Sequence, residues 1–328
     1  MLAYLTKRLF WSIPMLIAVS IVAFIIIQLP PGDYATAYVA ELRHQGDTVD
    51  PLMEQEIRVH FGLDKPIYVQ YWWWISGIVL HGDFGQSLDY NMPVSNLIWA
   101  RLGLTLAISI TSLLLTWLIA IPIGVYSATR QYSALDYVFT IFGFIGRGFP
   151  EFLTALVLMW LAYSWLNMDV GGLMSAGMEQ QPWSFAKVID VASHIWVPLV
   201  VLATSGTAGL IRVVRANMLD ELNKPYVETA YAQGLSERRV VWGYPVRVAL
   251  NPFISTIGWA LPSLISGDVI TAVVLNLPTT GPLLLRALKN QDMYLAGSFI
   301  LILSVFTIIG TLISDILLAL SDPRVRRG

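Results

Sequence analysis

The sequence predicts an all-α polytopic membrane protein, on three observations. Of 328 residues, 56% are hydrophobic and only 13% charged, with a mean hydropathy of +0.63, which leaves too little polar surface to cover a soluble globule. The apolar residues gather in runs near bilayer length, and peptide groups in hydrocarbon must find partners within their own segment, which selects helices. The alternating pattern of short strands that marks an outer-membrane barrel is absent from the sequence.

Six transmembrane helices are expected, at about Leu9 to Leu29, Leu102 to Tyr126, Tyr137 to Leu166, Ile195 to Val214, Pro252 to Leu277 and Leu295 to Leu320. Lys7-Arg8 precedes the first run as the basic part of a signal peptide would, with Ala35-Thr-Ala37 as a cleavage site, but the run is long for that purpose and ends in Pro30-Pro31-Gly32, so an uncleaved anchor is expected. With the N-terminus inside, twelve of the twenty basic residues fall on the cytoplasmic side, among them Arg130, Arg212, Arg215, Arg238, Arg239 and Arg247. The first external loop instead holds nine acids against three bases. The positive-inside rule therefore puts both termini in the cytoplasm.

Residues 31–100 are far longer than a connector needs to be. Asp50-Pro51 reads as an N-cap with proline at the first helical position, and Gly62 as that helix's stop. Trp72 to Trp74 are expected to anchor a further helix at the outer membrane surface. The first five spans each carry a proline, Pro14, Pro122, Pro150, Pro198 and Pro262, which implies a packed bundle or a wet cavity to satisfy the freed carbonyls. In the fourth span the small side chains of Ala203-Thr-Ser-Gly-Thr-Ala-Gly209 point to close helix packing.

Several classes are disfavoured. The net charge of −2 and the lack of a basic stripe give nucleic acid no footprint, and with no cysteine there is neither a disulfide framework nor a thiolate metal site. His44, His60, His81 and His194 lack ligand-like spacing. There is no His-Glu-xx-His motif, no nucleophile set with its base, and no Gly-xxxx-Gly-Lys-Ser/Thr phosphate loop, so neither enzymatic chemistry nor ATP binding by this chain is expected. No internal repeat or intramembrane acid relay supports a stand-alone channel or ion-coupled carrier.

A set of ordered motifs carries a family resemblance. It runs from Lys7-Arg8-Leu9 and Pro31-Gly32-Asp33 through Gly62-Leu-Asp64-Lys-Pro66-Ile-Tyr-Val-Gln70-Tyr71 and Gly82-Asp83-Phe-Gly85-Gln-Ser87, then Ile121-Pro122-Ile-Gly124, Asp136-Tyr137 and Pro150-Glu-Phe152. Arg212-Val-Val-Arg215, Glu228-Thr-Ala230-xxx-Gly234, Arg247-Val-Ala249-Leu-Asn-Pro252 and Asp322-Pro323-Arg324 complete it. Over nearly its whole length the chain resembles the permease subunits of the dipeptide, oligopeptide and nickel family of ABC importers.

The resemblance implies a non-catalytic transmembrane subunit in a bacterial inner membrane. Its expected partners are a homologous second permease, two ATPase subunits that hold ATP and Mg, and an extracytoplasmic solute-binding protein. It divides the chain into residues 1–30 (tail and first helix), 31–100 (external platform) and 101–328, a five-helix core with a cytoplasmic coupling loop at about 216–250. In that loop Tyr226, Glu228, Ala230, Gly234 and Leu235 would form a short helix, broken at Gly234, that docks in an ATPase groove. On the platform Asp64, Tyr71 and Asp83 would help receive the binding protein. Departures occur at Asp268 after Gly267, at Pro278-Thr-Thr-Gly281 and at Ala232-Gln233-Gly234, and they leave peptide and oligosaccharide both open as cargo.

Three charges, Arg147, Glu151 and Asp268, fall inside expected spans, where a charged side chain costs about 2.5 to 3.5 kcal/mol on insertion scales. Arg147 and Glu151 are four residues apart and could pair on one helical face. They either lock this subunit to its neighbour or line the translocation path.

Overall fold

The structure is a computed structural model that describes residues 2–44, 51–168, 170–175, 177–178, 181–182, 184–251, 253, 263, 266 and 269–321. Among these residues the regular structure is helical, apart from one isolated bridge between Gln86 and Pro93. Among the described residues four helices are long and apolar enough to cross a membrane, at Thr6–Ile27, Val94–Thr129, Phe185–Leu222 and Met293–Leu317, and a bent pair would make a fifth. Most of the expected span from Pro252 to Leu277, with Asp268 in it, lies outside the described residues.

The chain divides into two compact units. The first comprises residues 1–105, 261–269 and 279–312. It holds α1 (Leu2–Ile27), α2 (Tyr34–His44), α3 (Pro51–His60), α4 (Ile67–Ser76) and the start of α5 (Val94–Thr129). Asp33 caps α2, its Oδ1 accepting from the backbone N–H of Thr36 at 2.9 Å, and Arg58 of α3 donates to its Oδ2 at 2.7 Å. Gly62 ends α3 with φ +68°, a backbone region that costs an L side chain strain. The six-membered ring of Trp73 lies over it, 3.1 Å from where a Cβ would stand.

The three tryptophans of α4 do not share one role. Trp72 and Trp73 are exposed, as an interfacial anchor requires, whereas Trp74 is buried. Its ring stacks on Phe24 of α1 at 5.7 Å between centroids, and its Nε1–H donates to Ser298 Oγ at 3.1 Å. The expected anchor is thus corrected at Trp74: helical phase turns the third tryptophan toward α1, and the buried indole N–H needs the partner it finds.

The same unit contains α13 (Thr280–Lys289) and most of α14 (Met293–Ser321). The loop between α4 and α5 is tied to the junction of these two helices. Asp292 caps α14 by accepting from the Leu295 N–H at 3.1 Å, and its other oxygen accepts from Ser87 Oγ and the Asp89 N–H. Asp89 in turn receives Arg286 Nε at 2.6 Å and Asn290 Nδ2 at 2.9 Å.

The second unit comprises residues 106–260, 270–278 and 313–328. It includes the rest of α5, then α6 (Ala134–Gly148), α7 (Glu151–Leu166), α8 (Phe185–Leu222), α9 (Pro225–Ala232), α10 (Glu237–Gly243) and α11 (Pro245–Ala249), with most of α12 (Val269–Val274). α5 and α8 meet closely: a Cβ on Gly124 would stand 2.6 Å from Val214 Cβ, and one on Gly206 would stand 3.2 Å from Thr116 Cγ2. In the fourth span Gly206 and Ala203 therefore serve helix packing, both lying against Thr116.

The expected single span from Tyr137 to Leu166 is instead two helices, α6 and α7, bent by 101°. Phe149 is extended at φ −96°, ψ 136°, as the residue before a proline prefers, and Pro150 stands just ahead of α7. Pro122 and Pro198 sit within unbroken helices, so proline alone does not explain the break. Gly143, Gly146 and Gly148 precede Pro150, whereas the turns before Pro122 and Pro198 contain no glycine, and a glycine-rich last turn yields more easily.

Candidate functional site

The polar segment between α8 and residue 250 folds into a short helical hairpin with one buried and one exposed side. Pro225 opens α9 at its first position, where a proline loses no hydrogen bond. Tyr226 Oη donates to Glu221 Oε2 at 2.6 Å, fixing the corner between α8 and α9. Burial raises this phenol's pKa, and the Glu221 carboxylate raises it further. The helix ends at Ala232, and the chain turns through Gly234 at φ +76°. A Cβ there would meet nothing within 4 Å, so backbone conformation, not crowding, is what calls for glycine.

Val227 and Ala230, three residues apart on α9, are buried with Val240 of α10, and Leu235 packs against them. The next residue of α10, Val241, enters a different cluster with Val125 and Ala128 of α5, Val214 and Met218 of α8, and Val246 and Ala249 of α11. Asn217 Nδ2 adds a hydrogen bond to the Ala249 carbonyl at 3.2 Å. α10 therefore has one foot in the hairpin and the other in the ends of two long apolar helices. Close-packed interiors have little compressibility, so this packing couples the position of α10 to those of α5 and α8.

The exposed side of α9 presents Glu228, Thr229, Tyr231 and Ala232. Of the five residues expected to make the coupling contact, Tyr226, Glu228 and Gly234 are exposed, while Ala230 and Leu235 face inward. Ala230 is small because Val240 packs on it, and that role was not visible in the motif. Val240 and Val241, which join the hairpin to the helices, also escaped the sequence reading; adjacent apolar residues on a polar segment were the available signal.

In the first turn of α6, Asp136 binds Arg215 of α8 at 3.1 Å and receives the Tyr132 N–H at 3.0 Å. Both residues belong to the motifs that carried the resemblance, and here they tie two helices together.

The other expected site residues are dispersed. Arg147 lies in the last turn of α6 and Glu151 in the first of α7, so the two do not share one helical face. Glu151 has the place favoured for an acid by the helix dipole. Asp268 and the Arg147 side chain lie outside the described residues. On the first unit Asp64 is exposed beside Lys65 at 3.0 Å, and Asp83 is exposed with its Oδ1 accepting from the Gly85 N–H. Tyr71 turns inward, its hydroxyl 2.9 Å from Ser20 Oγ and its ring edge-on to Phe24. Among the described residues no cluster of three His, Asp or Glu side chains is placed to hold a metal ion.

Comparison with known proteins matches residues 120–327 to the family described as binding-protein-dependent transport system inner membrane component. Residues 1–109 match the N-terminal region of the same kind of component. The chain belongs to this family. It is 38% identical over 330 residues to the oligopeptide transport system permease protein AppB of Bacillus subtilis, covering 99% of each chain. It is 28% identical over 342 residues to the dipeptide transport system permease protein DppB of Escherichia coli, again covering 99% of each. A dipeptide permease of Alkalihalophilus pseudofirmus is 27% identical over 343 residues, covering 99% of this chain and all of its own. As a member of this family the chain is a non-catalytic permease subunit of a multi-subunit transporter.

Proposed function

We propose that this permease forms half of the translocation pathway of an ATP-driven peptide importer, with the hairpin α9–α10 as its contact to an ATPase. The full-length similarity to oligopeptide and dipeptide permeases supports peptide as the cargo class. The observation that carries the coupling role is the double seating of α10, with Val240 in the hairpin and Val241 among α5, α8 and α11. Nucleotide-driven closure of two ATPases would push on Glu228, Thr229 and Tyr231, and the packed cluster would pass that displacement to the long helices.

In this reading the chain spans a bacterial inner membrane six times with both termini inside. ATP and Mg belong to the ATPase subunits. The second permease supplies the other half of the path. The external face of residues 31–100, with Asp64 and Asp83 exposed, receives the solute-binding protein. Tyr71 contributes there only by holding α4 to α1. Arg147, Glu151 and Asp268 are candidates for the wall of the pathway.

The test is capture of the assembled complex through a tagged permease, with mass spectrometry of the binding protein and of the ligand it retains. A bound peptide is expected. A bound oligosaccharide would overturn the cargo, and recovery without any ATPase would overturn the importer.

A further inference from the structure

A groove of about 470 Å³ opens between the C-terminal end of α5 and α10, and no residue of α9 lines it. Its size lies within the range of small-molecule sites, about 300–1,000 Å³. Pro122 and Tyr126 of α5 and Arg130, the residue just past its end, recur every four positions, and α10 answers with Arg238 and Trp242 at the same interval. Both walls thus grade the same way, from an apolar floor of Pro122 and Val125 through two aromatic rings to two guanidinium groups. The floor belongs to a helix apolar enough to span a membrane, and that helix ends at Thr129.

Among the described residues these charges find no close partner. The one carboxylate lining the groove, Glu237, approaches Arg130 only to 3.9 Å, and the two side chains are 64% (Arg130) and 60% (Glu237) exposed, a geometry worth little as an ion pair. Arg238 forms no ion pair among the described residues. A ligand that matches this gradient is negative at one end, apolar at the other, and sits where a membrane span leaves the bilayer.

We infer that the groove between α5 and α10 binds an anionic phospholipid, its phosphate between Arg130 and Arg238 and its first methylenes on Pro122 and Val125. Aromatic rings at headgroup depth and basic pockets at helix ends are the physical means by which membrane proteins hold such lipids. Because α10 also carries Val240 into the hairpin, a lipid here steadies the element that would meet the ATPase. The lipid's leaflet, though not its binding, rests on the proposed orientation.

The test reconstitutes the complex in nanodiscs of phosphatidylcholine alone or with phosphatidylglycerol as a minor component, then measures by mass spectrometry the lipid retained on the permease. Phosphatidylglycerol should be enriched over phosphatidylcholine and should fall about fivefold for each of Arg130→Gln and Arg238→Gln, the loss expected per basic residue at an anionic surface. Arg238→Lys, which keeps the charge, should retain most of it and guards against misreading a folding defect. Equal retention in the double glutamine variant, or no preference for the anionic lipid in the wild type, would overturn the proposal. So would a photoreactive side chain at position 242 that cross-links to protein and not to lipid, which would give the groove to a partner subunit. Lipid retention is read on the permease itself, so loss of the ATPase would sink the importer reading without touching this one.

Discussion

Ser87 Oγ donates a 2.5 Å hydrogen bond to Asp292 Oδ2 across 205 positions of sequence, and both residues are buried. The pair fastens the loop after α4 to the start of α14. Burial pushes the Asp292 carboxyl above its ordinary pKa, and the Ser87 hydroxyl with the N–H groups of Leu295 and Asp89 only partly offsets this. A hydrogen bond to a buried carboxylate is worth about 1.5–3 kcal/mol, so Ser87→Ala should lower permease stability by that amount. Thermal unfolding of the purified protein in detergent checks it, and an unchanged midpoint would refute the role given to this bond.

The sign of the pH dependence follows from the direction of that shift. A carboxyl whose folded pKa is raised favours the folded state most fully below its unfolded value, and that contribution is lost as pH rises through the folded value. Asp292→Asn should therefore flatten the fall in stability on going from acid toward neutral pH, although it also weakens the cap on α14. Unfolding midpoints across that range for wild type and variant decide it; parallel curves would count against Asp292 as the titrating group.

Asp33 behaves in the opposite sense. Burial works to raise its pKa, but Arg58 and the N–H and hydroxyl of Thr36 outweigh it and hold the carboxyl below the usual value. Its stabilisation is present above the unfolded carboxylate pKa and is lost as pH falls through the folded one. Both partners are partly exposed, so the effect should be local. Limited proteolysis is expected to cut near α2 and α3 more readily at low pH in the wild type, and at every pH in Asp33→Asn.

The close approach of α5 to α8 allows a steric prediction. With Val214 Cβ 2.6 Å and the Ile211 carbonyl 3.1 Å from the place of a Cβ on Gly124, alanine there must push two long helices apart. Overpacking of this kind costs about 1–3 kcal/mol. Gly124→Ala should reduce the yield of monodisperse permease and lower its unfolding midpoint, whereas Gly103→Ala on the same helix, where a Cβ meets nothing, should not.

How much of this was legible depends on what each feature is made of. The cores of α1, α5, α8 and α14 were read from continuous apolar runs. Their true lengths were not: α5 begins at Val94 and α8 runs from Phe185 to Leu222, because polar residues at the ends of a helix carry no apolar signal. Pro150 was seen, but the 101° bend was not, since Pro122 and Pro198 leave their helices intact and only the neighbouring glycines distinguish the cases. Trp74 could not be told from Trp72 without knowing which face of α4 meets α1. The hairpin turn at Gly234 was readable because one residue determines it. The packing of Ala230 against Val240 was not, because the two lie on different helices.

Gly234 offers the sharpest test of the proposed coupling. Its φ of +76° costs an L residue strain, yet the space around it is empty, so substitutions there act through the backbone and not through bulk. Asparagine, which tolerates the left-handed region, should cost little, while β-branched valine should lose more than the roughly 1–2 kcal/mol of an ordinary side chain and shift the population of hairpins away from the observed turn. The turn sets the angle between α9, which presents Glu228 and Tyr231, and α10, which is seated through Val241 in the long helices. In proteoliposomes with the full complex, Gly234→Val should therefore depress peptide uptake more than ATP hydrolysis, with Gly234→Asn near wild type in both. Equal loss in the two substitutions would point to a requirement for glycine itself, such as contact with a partner's surface, and normal coupling in Gly234→Val would remove the hairpin from the transmission path.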